Sequence, residues 1–215
     1  MTNFIPIFPL GIVVYPDEQV NLHIFETRYK QLVKECFAEK RLFGIPAVID
    51  NTVQDYGTLV RILEITTLHE NGEMDIKTRG ERVFRILEVI EEIPDKLYSG
   101  AIVNYPTNHD QANPTIVCKI IEGIRELHRM LNLTKDFKKE DHLLKSYDVA
   151  HHVGLTIQEE YELLNLMDER QRMEYIKRHL TKVLPMVAQM EHLKEKVKMN
   201  GHFKNISGFQ YGKPD

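Results

Sequence analysis

Residues 56–80 read "YGTLVRILEITTLHENGEMDIKTRG" and contain the clearest β-hairpin signal in the chain. The two arms have the residue pattern of strands, and Asn71 and Gly72 stand between them. An Asn-Gly pair supplies the two positive φ angles that a type I′ turn requires. The stretch therefore predicts two antiparallel strands joined by a two-residue turn, with Gly72 at positive φ.

Strand-like segments continue on both sides of this hairpin. The N-terminal segment contains Pro6 and Pro9, which donate no ladder hydrogen bond, so it is predicted to form a sheet edge or a strand end. Several other segments are apolar on both faces, which favours a curved sheet or pseudo-barrel over a flat sheet with one wet side. The predicted strands outside the hairpin are 3–10, 19–24, 42–50, 82–90 and 97–105.

Helical patterns dominate after residue 106, where the composition changes. Asn113 and Pro114 are a typical N-cap and first helical residue. The segment "TIQE", residues 156–159, has the form of a capping box, which predicts that another helix begins there. Asp168 is predicted to cap a last, long helix.

The last helix carries an apolar seam at a spacing close to heptads. Pro185 lies within it and predicts a kink or a break. We therefore expect an α+β fold with a β-rich subdomain over 1–106, a helical subdomain over 107–200 and a loose tail over 201–215. The seam consists of Ile176, Leu180, Val183, Val187, Met190, Leu193 and Val197.

The segment "LHIFETRY" turns from a strand into a helix without a glycine. Glu26 falls in the first helical turn, where its carboxylate is predicted to meet free N–H groups and to pair with the lysine four residues later. Phe25 and Tyr29 are predicted to share one side of this joint, and Arg28 to bind carbonyl groups of a neighbouring strand. The joint is therefore either structural or a functional surface, with candidate residues Phe25, Glu26, Arg28 and Tyr29.

Composition excludes several classes of protein. The 215 residues carry a formal net charge of -4, so no overall attraction to nucleic acid or anionic lipid is expected. No apolar run approaches the roughly 20 residues that span a bilayer, and the N-terminus lacks the basic region of a signal peptide, so we expect a soluble cytoplasmic protein. Cys36 and Cys118 are predicted to be buried free thiols in a reducing compartment.

Motifs for catalysis, nucleotide binding and metal binding are not found in the sequence. It contains no G-x-S-x-G, G-x-x-x-x-G-K-[ST] or G-x-G-x-x-G pattern. The ten histidines are scattered, and the adjacent His151 and His152 would point about 100° apart on a helix. The sequence therefore predicts no catalytic residue, no metal site and no cofactor.

A small basic cluster lies on the predicted strands of residues 79–85 and includes Arg79, Arg82 and Arg85. Glu81 and Glu88 interleave with these arginines. The mixed charge favours a solvated strand face over an RNA-binding surface, so nucleic acid is not expected as a partner.

With these segments in place, the chain resembles the Lon N-terminal (LON substrate-binding) domain family over about residues 4–200. The resemblance rests on "IPIFPLGIVVYPDEQVNLHIFETRY", "YGTLVRILEI", "NGEMDIKTRGERVFRI" and "YELLNLMDERQRMEYIKRHL", in that order. The family tends to show G-x-x-R-F-x-I, but here Val83 replaces the arginine and Arg82 precedes it. The F-E-x-R-Y form, which looks like the stand-alone branch of the family, consists of Phe25, Glu26, Arg28 and Tyr29.

The resemblance implies a PUA-like pseudo-barrel followed by a helical bundle, in agreement with the residue patterns. It also implies a non-catalytic module that binds polypeptide, because the family's ATPase and Ser-Lys protease modules follow this region and neither motif is found in this chain. The implied partners are unfolded or regulatory polypeptide segments and a protease system, with no cofactor and no membrane. Two alternatives remain open, an RNA-binding PUA-like module and a small hydrolase with an unrecognised site.

Overall fold

One antiparallel sheet with a helix packed on it precedes a group of helices. The computed structural model describes residues 3–111, 114–137 and 139–203. The strands are β1 (Asn3–Pro6), β2 (Gln19–Ile24), β3 (Phe43–Ile49), β4 (Thr52–Leu68), β5 (Met74–Ile90) and β6 (Gly100–Asn104). The α-helices are α1 (Thr27–Ala38), α2 (Pro114–Met130), α3 (Ser146–Val149), α4 (Ile157–Leu164) and α5 (Glu169–Phe203). The predicted α+β class is confirmed.

The hairpin of β4 and β5 is the longest pairing in the sheet, with 17 residues in each strand. It runs from Tyr56 opposite Arg85 to Leu68 opposite Met74, with register shifts at three places. Such irregularities bend a strand and increase its twist. The segment 82–90, predicted as a separate strand, is therefore the bent continuation of β5.

The loop of this hairpin differs from the predicted two-residue turn. Gly72 N–H donates to His69 O at 2.9 Å, and His69 N–H donates to Glu73 O at 2.8 Å. The loop thus has three residues, of which Gly72 has the predicted positive φ, 76°. Asn71 is not among the residues with positive φ. The prediction for Gly72 is confirmed, whereas the type I′ turn is wrong because a three-residue loop needs only one left-handed residue, at its end.

A turn with two left-handed residues joins β3 to β4 instead. Asp50 and Asn51 have φ values of 50° and 60°, and Ile49 pairs with Thr52 across them. Asp and Asn tolerate this region better than other non-glycine residues, so the turn forms without a glycine.

The sheet curves into a pseudo-barrel. Its strand order is β1-β6-β5-β4-β3, and β2 pairs with β5 beside this path. The chain after β1 runs parallel to β3, with bridges between Ile7 and Gly44 and between Leu10 and Ala47. These bridges cover the outer edge of β3 and bring the two ends of the strand order together, as the predicted curved sheet requires.

The sheet and the helices share a core. Leu32 and Val33 of α1 pack into one apolar cluster within the sheet. A second cluster joins side chains of the sheet region to those of α2, α4 and α5. Val83 belongs to it and is 4% exposed, which explains an apolar residue where the family tends to carry arginine. The neighbouring Arg82 lies outside this core, with its guanidinium carbon 3.6 Å from the centroid of the Tyr105 ring.

Helix starts follow the predicted signals. Pro114 is the first residue of α2, whereas Asn113 lies outside the described residues. Thr156 accepts a hydrogen bond from the Glu159 N–H, and the Glu159 carboxylate accepts one from the Thr156 N–H at 2.8 Å. The Asp168 carboxylate accepts the N–H of the residue two positions later at 2.8 Å. The capping box and the Asp168 cap are therefore confirmed.

Helix α5 continues through Pro185 to Phe203, so of the predicted kink or break the break is not formed, and the kink stays a prediction. Residues 201–203 of the predicted tail are helical, and 204–215 lie outside the described residues. Ile176 and Leu180 are buried, but the second half of the helix exposes its apolar side chains. None of the described helices has both the length and the apolar character to cross a bilayer. The exposed apolar residues of the second half are Met186, Met190, Leu193, Val197 and Met199.

A polar cluster joins the sheet region to the helical region beside the shared core. The His151 ring contacts Glu160 Oε1 at 2.7 Å and Glu18 Oε2 at 3.2 Å. The Tyr15 hydroxyl donates to Glu160 O at 3.0 Å, and the Tyr15 ring stacks on Tyr147 with centroids 5.0 Å apart. Burial alone would lower the pKa of His151, but hydrogen bonds to Glu160 and Glu18 and their charges outweigh it and raise that pKa to about 10.

A buried ion pair lies within the helical region. Arg172 and Glu169 are both fully buried, and Arg172 Nη2 donates to Glu169 Oε2 at 2.8 Å. Ser146 donates to Glu169 from its N–H at 2.7 Å and its hydroxyl at 2.6 Å. Arg172 also donates to Asn108 Oδ1 at 2.8 Å and Leu166 O at 2.6 Å. The pair thus fixes the start of α5 against α3, the segment that contains Asn108, and the loop that contains Leu166.

The hairpin loop gives a first prediction. Gly72→Ala should lower the free energy of unfolding by about 1–2 kcal/mol, because an L-residue is strained at φ 76°. Gly11→Ala is the matched control, since an added Cβ meets open space at both positions and only Gly72 has positive φ. Urea unfolding of both variants measures the difference. Equal stability of the two would contradict the loop geometry.

The buried ion pair gives a second prediction. Arg172→Ala should lower the free energy of unfolding by about 3–5 kcal/mol, because it leaves the Glu169 carboxylate buried without its charged partner. Arg170→Ala removes an exposed arginine of the same helix, which pairs with Asp168 before the helix. It should lower the free energy of unfolding far less. Denaturant unfolding measures both. A small loss for Arg172→Ala would show that Glu169 is not held as a buried charge.

The His151 cluster gives a third prediction, on pH dependence. A raised pKa in the folded state stabilises the protein below the unfolded-state value of about 6.5, and this stabilisation is lost as the pH rises towards about 10. Wild type should therefore exceed His151→Gln in stability near neutral pH, and the difference should shrink as the pH rises to 10. The difference should be modest, because 37% of the His151 side chain is exposed and water screens the pairs. Thermal melts across this pH range test it, and a difference independent of pH would contradict it.

Candidate functional site

The strand-to-helix joint is built differently from the prediction. Glu26 is the N-cap residue of α1, but its side chain makes no capping hydrogen bond. Its carboxylate instead accepts Arg28 Nε at 2.9 Å and lies 2.8 Å from Arg28 Nη2. Lys30 does not pair with Glu26, since its Nζ donates to Asn71 O at 3.3 Å. The capping prediction is wrong because the guanidinium fork two residues away occupies the carboxylate.

The aromatic residues of the joint point in different directions. Phe25 is 59% exposed, and its ring stacks beside His23 with centroids 6.1 Å apart. Tyr29 is 6% exposed and packs on Phe8 with centroids 3.9 Å apart. Arg28 covers the Tyr29 ring from 4.5 Å and does not bind carbonyl groups of a neighbouring strand. Tyr29 therefore belongs to the core, and Phe25, Glu26 and Arg28 belong to the surface.

A cluster of possible metal ligands lies next to Phe25. His23, His69 and Asp75 each offer one donor atom within 4.8 Å of the others. No linear motif marks this cluster, because only the pairing of β2 with β5 brings His23 to the hairpin loop. The predicted hairpin places His69 and Asp75 near each other on either side of its loop, whereas no local signal places His23 beside them.

A groove of about 640 Å³ lies between the sheet and the helices, next to the His151 cluster. Tyr147, Phe137 and Leu144 give it an apolar side, and the Phe137 ring packs edge-on against His152 with centroids 5.0 Å apart. The remaining described lining is mainly polar and charged. It consists of Pro16, Asp17, Glu18, Gln19, Arg79, Lys135, Asp136, Lys139, Asp148, His151 and His152.

Charges along the groove are mixed and largely paired. Arg79 Nη2 donates to Asp17 Oδ1 at 2.6 Å, and Lys139 Nζ donates to Asp148 Oδ1 at 2.7 Å. Among the described lining residues, four Asp or Glu carboxylates accompany three Lys or Arg side chains. A phosphate backbone needs an excess of positive charge, which this lining does not offer.

The described serines and cysteines are not arranged as nucleophiles beside a base. Ser146 is fully buried against Glu169 and Arg172, Ser99 donates to a backbone carbonyl, and Ser207 lies outside the described residues. Burial raises the pKa of the Cys36 thiol to about 11, so it stays protonated. Cys118 is exposed, which corrects its predicted burial.

Comparison with known proteins identifies the relatives of this fold. The family model of the ATP-dependent protease La (LON) substrate-binding domain matches residues 5–182. A Lon N-terminal domain protein from Xanthomonas campestris is 26% identical with a TM-score of 0.62, and the match covers 82% of this chain and 98% of that one.

The N-terminal domain of a Mycobacterium avium complex Lon protease has the same fold. It is 16% identical with a TM-score of 0.59, and the match covers 83% of this chain and 98% of that one. No curated protein sequence matches. The family model matches residues 5–182, most of this chain, and the chain therefore belongs to the LON substrate-binding domain family.

Proposed function

We propose that the protein is a non-catalytic module that binds extended segments of unfolded or regulatory polypeptide in the groove between its subdomains. The observation that carries the proposal is the combination of a LON substrate-binding domain with a groove that has an apolar, aromatic side and paired charges. An extended peptide presents both apolar side chains and backbone hydrogen-bonding groups, which match a surface of this mixed character.

The aromatic side of the groove supplies the anchoring contacts in this proposal. Phe137 is half-buried, and Tyr147 is held by stacking on Tyr15 and by the Arg172 guanidinium carbon 4.3 Å from its ring centroid. A rigid aromatic side chain loses little conformational entropy when a partner packs against it. Binding of a flexible segment nevertheless costs ordering entropy, so we expect dissociation constants that are micromolar or weaker.

Cytoplasmic location and cooperation with a protease system are part of this proposal. The description of the family, a substrate-binding domain of an ATP-dependent protease, supports the second of these. Polypeptide delivered to such a system would be the client of this chain, which contributes recognition and no hydrolysis.

Titration of a fluorescent unfolded polypeptide segment tests the proposal. We expect saturable binding that changes little between low and moderate salt, because the anchoring contacts are apolar and the charges of the groove are largely paired with one another. Phe137→Ala should weaken the binding by about tenfold, as truncation of an aromatic anchor does. Circular dichroism and urea unfolding verify that the variant is folded.

Phe25→Ala is the matched control for this experiment, because it removes the same side chain from an exposed position outside the groove. It should leave the affinity unchanged. A loss with Phe25→Ala and none with Phe137→Ala would move the site to the strand-to-helix joint and contradict the groove.

An RNA oligomer titrated in parallel separates the alternative functions. RNA binding through phosphates would weaken steeply with salt. Tight, salt-sensitive RNA binding without peptide binding would overturn the proposal. Cleavage of the peptide that one serine or cysteine substitution abolishes would overturn its non-catalytic part.

A further inference from the structure

We infer that His23, His69 and Asp75 form a surface site for a divalent transition-metal ion of the Zn²⁺ class, with Glu73 as the residue that orients His23. This site goes beyond polypeptide binding and is independent of the groove. Its ligands are His23 in β2, His69 between β4 and β5, and Asp75 near the start of β5.

The three donor groups already converge on one point. Asp75 uses both carboxylate oxygens, Oδ1 2.7 Å from His23 Nδ1 and Oδ2 2.9 Å from His69 Nε2. The two imidazole rings lie edge to face with centroids 5.8 Å apart. Each histidine therefore directs a ring nitrogen at the Asp75 carboxylate. A metal ion bound between the three groups would take the place of these two hydrogen bonds.

The donor spacing is close to what coordination requires. Zinc binds imidazole nitrogen and carboxylate oxygen at about 2.0–2.2 Å, so tetrahedral ligand atoms lie about 3.3–3.5 Å apart. The present donors lie within 4.8 Å of one another. Small side-chain rotations close this difference, because all three residues are at the surface, with His23 50%, His69 42% and Asp75 39% exposed.

Glu73 completes the environment of His23. Its Oε2 lies 3.4 Å from His23 Nε2, the ring nitrogen opposite the one that faces Asp75. A carboxylate at the far nitrogen fixes the tautomer and raises the basicity of a metal-binding histidine. Nδ1 of His23, which contacts Asp75 Oδ1, is thereby the nitrogen that faces the metal position.

The backbone holds the ligands in place independently of any ion. His23 and Asp75 are directly opposite in the ladder between β2 and β5. His69 N–H donates to Glu73 O across the hairpin loop at 2.8 Å, and Glu73 N–H donates to Asn71 Oδ1 at 3.1 Å. Strand pairing and loop closure thus fix the positions from which the side chains reach the ion.

The donor set selects the class of metal. Two imidazoles and one carboxylate suit Zn²⁺, Cu²⁺, Ni²⁺ or Co²⁺, whereas Ca²⁺ and Mg²⁺ prefer an all-oxygen set. With three protein ligands, the remaining position is open to water or to another ligand. A bound ion would cross-link β2 to the hairpin beside the exposed Phe25.

Calorimetric titration of the untagged 215-residue chain with Zn²⁺ tests the inference, and Co²⁺ absorption reports the coordination geometry. We expect saturable binding of one ion per chain and a rise in melting temperature with Zn²⁺. His69→Gln should weaken binding at least about tenfold and remove the rise in melting temperature. Histidine side-chain NMR should show Zn²⁺-dependent shifts of His23 and His69.

His142→Gln is the matched control, because His142 is exposed and lies 3.5 Å from a single carboxylate, Glu140. Its substitution should leave Zn²⁺ binding unchanged. Melting curves without metal show that each variant is folded, so a loss of binding is assigned to the missing ligand. No saturable binding up to millimolar Zn²⁺, or binding that survives His69→Gln, would overturn the inference.

Discussion

The pairing of β5 with its neighbours is the constraint on which the rest of the structure depends. β5 pairs with β4 over residues 74–85, with β2 on its other edge over residues 74–79, and with β6 over residues 85–90. Its bends turn a hairpin into the wall of a pseudo-barrel and bring Val83 to the face that packs on the helices. The outer face of the same strand carries Asp75, which meets His23 across the ladder. One strand therefore positions the core, the contact between the sheet and the helices, and the cluster of His23, His69 and Asp75.

The contact between the sheet region and the helical region combines apolar packing with a small set of charges. The shared cluster excludes water from the centre of the contact. At its margin, His151 between Glu18 and Glu160 supplies directional contacts beside the groove. Because both walls of the groove are fixed in this way, the protein loses less conformational entropy when a flexible partner binds there.

Sequence patterns predicted the parts of this structure that depend on neighbouring residues. The capping box at Thr156, the Asp168 cap and the positive φ of Gly72 each follow from a few adjacent side chains, and all are observed. The turn at Asp50 and Asn51 was missed because tolerance of the left-handed region is a weaker signal than a glycine.

The candidate sites were harder to predict because they depend on distant pairings. The side chain of Glu26 had two suitable partners, free N–H groups and Arg28, and local rules do not decide between them. The contacts of His151 with Glu18 and of His23 with Asp75 join residues far apart in sequence. Neither has a spacing that a linear motif describes, so both became visible only in the fold.

The order in which the strands pair also has a consequence for folding. β1, the first strand, pairs with β6, the last, and Asn3 lies opposite Val103. A nascent chain must therefore extend well beyond this residue before its first strand has a partner. Such non-local pairing is slow, because the entropy of closing a long loop is lost before the contact forms. During synthesis β1 therefore stays unpaired until β6 has been made. In this interval the chain is exposed to aggregation and to chaperones.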